Sequence, residues 1–255
     1  RKLQKIGDSL NGKRVLITQS EDFMGPTLVE AFRAYDAEVI AMPTPLGENN
    51  KGESADIAAL VEEIGKIDVL IANLAVPAPN TAVEQVSDEE WREVFSHLVD
   101  PMPKLMRAVL PQMIERQSGK IVVMGSATAF RGQRRTSTYS AARGAQVSYV
   151  RAAGAEIARH NIQINLIAQN FVENPTYYPE EVQALDKFQD RLKAEVPAGR
   201  LATAEEDAQF AVFLASSEVN FFVVNIPAQL ISMSICPSFL FAQSITLIIS
   251  SWLDK

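Results

Sequence analysis

RVLITQSEDFMGPTLVEAFRAYDAEVIAM, residues 14–42, is the stretch on which the fold turns. It opens with a short apolar run, Arg14 to Thr18, read as a buried strand. Helical spacing follows over residues 25–35, and a second apolar run, AEVIAM, covers 37–42. The same alternation continues along the chain. It predicts a helix over 53–64, a strand over 67–72 (IDVLIA), and one long helix over 88–116, kinked at Pro101 and Pro103. A strand over 120–125 (KIVVMG), an alanine-rich helix over 137–159, a strand over 161–168 (NIQINLIA), and helices over 179–195 and 204–216 complete the series. Strands that are apolar throughout are buried on both faces. Separated by helices, they predict a parallel sheet covered on both sides, the doubly wound α/β class. The 255 residues, 47% of them hydrophobic, suit a single domain over 1–255 with its core at about 13–217.

Composition removes several function classes. A net charge of −7 argues against a nucleic-acid binder, which carries a basic face. One cysteine, Cys236, excludes an intramolecular disulfide framework and a cysteine zinc site. The two histidines, His97 and His160, lie far apart in sequence, and no metal is expected. The start, residues 1–8, is charged and without an apolar run. No secretory leader is read there, and a reducing, cytoplasmic setting is the expectation.

The end of the chain changes character. After Glu218 no charged residue appears until Asp254, and the last glycine is Gly199. Residues 230–253 (LISMSICPSFLFAQSITLIISSWL) are long enough to weigh as a membrane span. Pro237, Gln243 and seven hydroxyl residues dilute the run, and basic flanks are absent apart from Lys255. Packing on the domain or on a partner subunit is therefore expected of 219–253, ahead of membrane contact or disorder. A shifted reading frame would also produce so abrupt a loss of pattern.

Chemistry enters at two places. The loop after the first strand runs Thr18-Gln19-Ser20-Glu21-Asp22-Phe23-Met24-Gly25. A dinucleotide site needs glycines here, so that backbone can approach the pyrophosphate at the helix N-terminus. Gln19 and Phe23 stand where two of them belong. Glu21 and Asp22 repel an anion, and Met42-Pro43-Thr44 supplies no acid for a ribose hydroxyl after the second strand. Two readings stay open: a loop that binds nothing, or a nucleotide site rebuilt for something smaller. The second place is Ser126, Tyr139 and Arg143. Positions 139 and 143 share a helix face. A free tyrosine has a pKa of about 10, and a cation beside it favours the phenolate, the form that acts as a general base. Ser126, at a strand end, is placed to orient a substrate hydroxyl.

Taken together these residues resemble the short-chain dehydrogenase/reductases over about residues 13–217. That family has Tyr-x-x-x-Lys and Thr-Gly-x-x-x-Gly-x-Gly. This chain has Tyr139-Ser140-Ala141-Ala142-Arg143, and it keeps one glycine of the three. Leu98 stands where the family has a relay asparagine. The departures resemble those of one offshoot, the halohydrin dehalogenases, with Ser-x12-Tyr-x3-Arg (Ser126, Tyr139, Arg143) and Thr-x4-(Phe/Tyr)-x-Gly (Thr18, Phe23, Gly25). The resemblance implies a Rossmann-like sheet and conversion of vicinal haloalcohols to epoxides with halide release and no cofactor. In reverse it implies epoxide opening by azide, cyanide or nitrite.

In that scheme Ser126 and Tyr139 hold the hydroxyl and Tyr139, assisted by Arg143, removes its proton. Thr18, Phe23 and Gly25, with Gln169, Asn170, Phe171, Tyr177 and Tyr178 of the loop after the fifth strand, shape the substrate and halide pocket, and Asn170 or Phe171 contacts halide directly. The family also implies a homotetramer or dimer built on the two long helices. His97 is read as a surface or subunit-contact residue, Trp91 and Phe95 as core or interface, His160 as ending a helix, and Arg131, Arg134 and Arg135 as a solvated face. A nicotinamide-dependent reductase and a catalytically inactive scaffold of the same fold are the alternatives.

Overall fold

The computed structural model describes residues 10–46 and 57–216. The charged start, the first residues of the helix expected from 53, Cys236 and the uncharged 219–253 segment lie outside the described residues. Five strands, β1 (Arg14–Thr18), β2 (Glu38–Met42), β3 (Val69–Asn73), β4 (Gly119–Ser126) and β5 (Ile162–Gln169), form one sheet. Its order is β2-β1-β3-β4-β5, with every neighbouring pair parallel. The apolar runs form strands because both faces are covered. Leu16, Leu70, Ile121 and Ile164 face one core, while Val15, Ile17, Ile71 and Val122 face the other. β2, at one end of this order, is half exposed.

Helices α1 (Gly25–Ala34) and α8 (Ala204–Ala215) pack together on the second face. The first face carries α2 (Ile57–Ile64), α3 (Asp88–Leu98), α4 (Pro101–Glu115) and α5 (Ser137–Ile157). Two short helices, α6 (Glu180–Gln183) and α7 (Asp186–Glu195), follow β5.

Two expected helices are divided. The long one over 88–116 is α3 and α4, separated at Val99 and Asp100. Pro101 has no N–H for a bond one turn back, so the chain stops α3 and uses the proline as the first residue of α4. Ser87 caps α3 by accepting the Glu90 N–H at 3.1 Å. The helix over 179–195 breaks at Ala184 and Leu185 into α6 and α7. The third strand runs two residues later than its apolar pattern starts and ends on Asn73, a shift that matters for the site. Among the described residues no helix is long and apolar enough to cross a membrane.

β1 lies between β2 and β3, so the chain reverses its direction across the sheet there. In open parallel sheets ligands bind beyond the carboxyl ends of the strands at such a point. The loops after β1, β3, β4 and β5 all converge there.

Candidate active site

Those loops enclose a cavity of about 160 Å³. Phe23 and Met24 come from the β1 loop, and Asn73, Leu74 and Ala75 from the end of β3. Ser126 and Thr128 come from the end of β4, Tyr139 and Arg143 from α5, and residues 169–174, 177 and 178 from the β5 loop.

Tyr139 and Arg143 are both buried, one turn apart on α5. The Arg143 guanidinium stands over the Tyr139 ring, 5.0 Å from its centroid. Its Nη1 donates to the Met124 carbonyl at 2.9 Å and to Gln146 Oε1 at 3.0 Å. Gln146 Nε2 in turn donates to the Leu98 carbonyl at 2.6 Å. Leu98 thus takes part through its backbone, and Gln146, which the sequence reading passed over, fixes the cation. Arg143 Nε is buried without a hydrogen-bond partner among the described residues. The hydrogen-bond partners found for the guanidinium are neutral, so a buried positive charge faces Tyr139.

Ser126 Oγ accepts from the Thr128 N–H at 3.3 Å and from Thr128 Oγ1 at 3.0 Å. A hydroxyl offers two lone pairs and one hydrogen. With both lone pairs engaged, Ser126 has its hydrogen left to donate into the cavity.

The β1 loop is built from side chains where glycines were looked for. Gln19 adopts a φ of +45° and Phe23 a φ of +52°. Gln19 is buried and grips the backbone of Ala75 twice, Nε2 to the carbonyl at 3.0 Å and Oε1 from the N–H at 2.9 Å. Asn73 Nδ2 donates to the Gln19 carbonyl at 2.9 Å and to the Asp22 carbonyl at 3.2 Å. Phe23 lays its ring 5.8 Å from that of Tyr177.

Thr18 and Gly25, expected to bind substrate or halide, do not line the cavity. Thr18 is fully buried and spends its hydroxyl on the Asn73 carbonyl at 3.0 Å. Gly25 is needed for a close approach: a Cβ there would lie 2.4 Å from the Gln19 carbonyl oxygen. Both shape the loop from behind.

The β5 loop supplies the opposite wall. Gln169 reaches the cavity, with its Nε2 given to Asp207 Oδ2 at 2.5 Å. Phe171 (φ +53°) is buried with Phe188, Leu192, Val196 and Leu201, and Arg191 lies over its ring at 5.4 Å. Asn174 Oδ1 accepts from the Thr176 N–H at 2.8 Å, and the Asn174 carbonyl accepts from the Tyr178 N–H at 2.7 Å. This turn aims Tyr177 inward. Tyr177 donates its hydroxyl hydrogen to the Val76 carbonyl at 2.8 Å. Burial, together with the neighbouring Tyr139, pushes the Tyr177 phenol well above the ordinary tyrosine value. Burial raises Tyr178 as well.

The residues read as bland stay outside the cavity. Arg131 pairs with Glu195 at 3.3 Å, and Arg135 Nε donates to Asn80 Oδ1 at 2.7 Å. His97 Nδ1 lies 2.8 Å from the Glu93 carbonyl, and His160 ends the 3-10 turn that extends α5. Trp91 is 44% exposed and stacks on Phe95 at 4.5 Å, so it is no core residue of this chain.

The family model for enoyl-(acyl carrier protein) reductase matches residues 10–225. The chain belongs to the short-chain dehydrogenase/reductase superfamily. Similar relatives include the 3-oxoacyl-[acyl-carrier-protein] reductase FabG of Salmonella typhimurium, 28% identical over 84% of this chain and 93% of that protein. A solved structure named as a dehalogenation enzyme is 28% identical, with a TM-score of 0.76, over 86% of this chain and 96% of that one. A putative NAD(P)-dependent gluconate 5-dehydrogenase from Beutenbergia cavernae is 25% identical, with a TM-score of 0.77, over 87% and 96%.

The superfamily implies a nicotinamide dinucleotide, and the residues present do not fit one. Gln19 turns its side chain inward onto Ala75, and Phe23 projects a ring to the cavity, where bare backbone would have to meet phosphate. Two carboxylates, Glu21 and Asp22, lie on the same loop.

Proposed function

We propose that the protein converts small vicinal haloalcohols to epoxides and releases halide without a nicotinamide cofactor. The same site run backwards opens epoxides with azide, cyanide or nitrite. One observation carries this reading. Ser126, Tyr139 and Arg143 converge on a cavity of about 160 Å³ that Phe23 also lines, from the loop where a dinucleotide site needs glycine. An engineered cavity of roughly 150 Å³ takes one benzene, so this one suits a molecule of about six heavy atoms. The similarity to the solved dehalogenation enzyme supports the same reading.

Ser126 donates its free hydrogen to the substrate oxygen. Tyr139, as phenolate, takes the hydroxyl proton, and Arg143 stabilises the negative charge on the ring before the transfer. The alkoxide oxygen then attacks the neighbouring carbon from behind, the new C–O bond closes the epoxide, and the C–halogen bond breaks with its electron pair leaving on halide. Nucleophile and carbon share one molecule, so holding the antiperiplanar conformer supplies much of the acceleration. Phe23, Gln169, Asn170, Phe171, Tyr177 and Tyr178 wall the pocket for the substrate chain and the departing anion. Homotetramer or dimer formation belongs to the same reading, supported by the exposed Trp91–Phe95 stack on α3, and sedimentation measures it.

Bromide release from a small vicinal bromoalcohol, with no nicotinamide added, tests the reading. Wild type is expected to release bromide, and Tyr139→Phe to lose at least about 100-fold, as removal of a general base does. No release from folded wild type sinks it. The FabG relatives favour a second reading, a nicotinamide-dependent reductase. NADPH fluorescence titration decides between them. An inactive scaffold predicts neither signal.

A further inference from the structure

We propose that Thr128 is a positioning residue for Ser126: it occupies both lone pairs of the Ser126 hydroxyl and so fixes that group as a donor to the substrate oxygen. This rests on the reading of Ser126 as the residue that orients the substrate hydroxyl. Ser126 ends β4, and Thr128 lies two residues on, in the 3-10 turn Ala127–Ala129. That short turn brings both donors of one residue onto one oxygen. The Thr128 N–H donates to Ser126 Oγ at 3.3 Å, and Thr128 Oγ1 donates to it at 3.0 Å. Both residues line the cavity that Tyr139 and Arg143 also line.

A serine hydroxyl turns about its C–O bond and can accept or donate. A haloalcohol hydroxyl does the same, so the pair has two arrangements. Ser126 gives its hydrogen to the substrate oxygen, or it takes the hydrogen of the substrate. Only the first leaves the substrate proton available to Tyr139. With two donors on its oxygen, Ser126 has no lone pair left for the substrate hydrogen, and the second arrangement is closed. Hydrogen bonds in a chain also polarise one another, so donation into Ser126 makes its own hydrogen a stronger donor. The benefit grows as the substrate oxygen becomes an alkoxide, because a bond to a charged acceptor is roughly twice as strong as a neutral one. Thr128 keeps its own proton throughout, and no bond to carbon forms or breaks at it.

Thr128→Val exchanges the hydroxyl for a methyl of similar size and leaves the backbone N–H in place. Thr128→Ser keeps a hydroxyl. Thr128→Val is made in wild type and in Ser126→Ala, completing a double-mutant cycle. Each protein is read in two ways. One is bromide release from a small vicinal bromoalcohol. The other is the dissociation constant of 1,2-epoxybutane, whose oxygen accepts and cannot donate, from a nuclear magnetic resonance titration without added anion. Where Ser126→Ala releases too little bromide to measure, the titration carries the cycle.

In the wild-type background Thr128→Val is expected to lower kcat about five- to tenfold, the size of one net hydrogen bond, with a smaller change in KM. It is expected to weaken epoxide binding about threefold. Thr128→Ser recovers most of both losses. In the Ser126→Ala background Thr128→Val is expected to leave both readings where Ser126→Ala alone puts them, because Thr128 acts through Ser126. A loss of equal size in the two backgrounds overturns the proposal, as does no loss in folded Thr128→Val. An epoxide affinity that Thr128→Val weakens only when Ser126 is present, in a protein that releases no bromide, upholds it while the dehalogenation reading fails. Wild type that neither releases bromide nor binds the epoxide overturns both. Should Thr128→Val not fold, Thr128→Ala decides by the same cycle.

Discussion

Replacing Gln19 separates what its side chain does from what its backbone requires. Gln19→Ala removes two buried hydrogen bonds, at 2.9 and 3.0 Å, and leaves the N–H and carbonyl of Ala75 without them. Each net bond is worth about 1 kcal/mol, and a buried group left unpaired adds about 1–3 kcal/mol unless water reaches it. A loss of about 2–4 kcal/mol follows. Gln19→Gly loses the same bonds, but its φ of +45° is free for glycine where alanine pays roughly 1–2 kcal/mol. The greater freedom of glycine in the unfolded chain returns about 0.5–1 kcal/mol of that gain. Gln19→Gly is therefore expected to fall between wild type and Gln19→Ala, about 0.5–1 kcal/mol above the latter. Urea denaturation at fixed protein concentration resolves the three, since an m-value near 2 kcal/mol/M turns these figures into midpoint shifts of about 1–2 M. Both variants are also expected to lose activity, because Ala75 adjoins the carbonyl that holds Tyr177. A Gln19→Gly protein as stable as wild type would refute the clasp, and the glutamine would then be a tolerated loop residue.

Two further outcomes follow from the same geometry. Arg143→Lys keeps the charge but has no guanidinium to reach both Met124 and Gln146 while lying over Tyr139. Bromide release is expected to drop about 10–100-fold, the equivalent of one lost charged hydrogen bond, with a smaller change in KM. Burial raises the phenols of Tyr149, Tyr177 and Tyr178, so each keeps its proton in the folded chain at a pH where the unfolded chain has released it. Their contribution to stability is complete below about pH 10 and is lost as pH rises further. Tyr177→Phe should flatten the fall of the urea midpoint between about pH 9.5 and 11, and an unchanged slope would count against burial of that hydroxyl.

The sheet was legible because its signal is local. Val15 to Ile17 and Ile121 to Met124 are apolar at every position, and both faces of those strands are buried. The helix breaks were less legible. Pro101 was read as bending a helix, whereas at its position the chain gains more by starting a new one, with the missing N–H falling among those that need no partner. The triad was legible as a spacing, since i and i+4 on a helix fix the relation of Tyr139 to Arg143 in advance. What the sequence withheld lies in contacts across great separations. Asn73 holds the β1 loop from 54 residues away, Gln146 reaches Leu98 across 48, and Tyr177 reaches Val76 across 101. No pattern within a window of residues announces such bonds. Thr18 and Gly25 illustrate the converse. Their spacing was informative, yet it reports the shape of the loop, with Thr18 tied to Asn73 and Gly25 pressed to the backbone of Gln19.

The departures in the β1 loop have a single structural logic. Gln19 and Phe23 both sit at positive φ, where glycine is the least strained choice, and side chains there need a compensating gain. Gln19 recovers it through two bonds to Ala75, and Phe23 through the ring of Tyr177. Those partners adjoin Val76, whose carbonyl holds the Tyr177 hydroxyl, and Tyr177 and Tyr139 line the same cavity. The side chains that fill a dinucleotide cradle are thus the ones that brace the aromatic wall of a small cavity. Restoring the glycines alone would remove that brace and leave Arg143 without the fit of a ribose-binding lysine. A return to nicotinamide binding therefore requires positions 19, 23 and 143 to change together, and Gln19→Gly with Phe23→Gly is expected to bind no NADPH. Tight NADPH binding by that double variant would show that the loop is a plug on an intact cradle rather than part of the cavity wall.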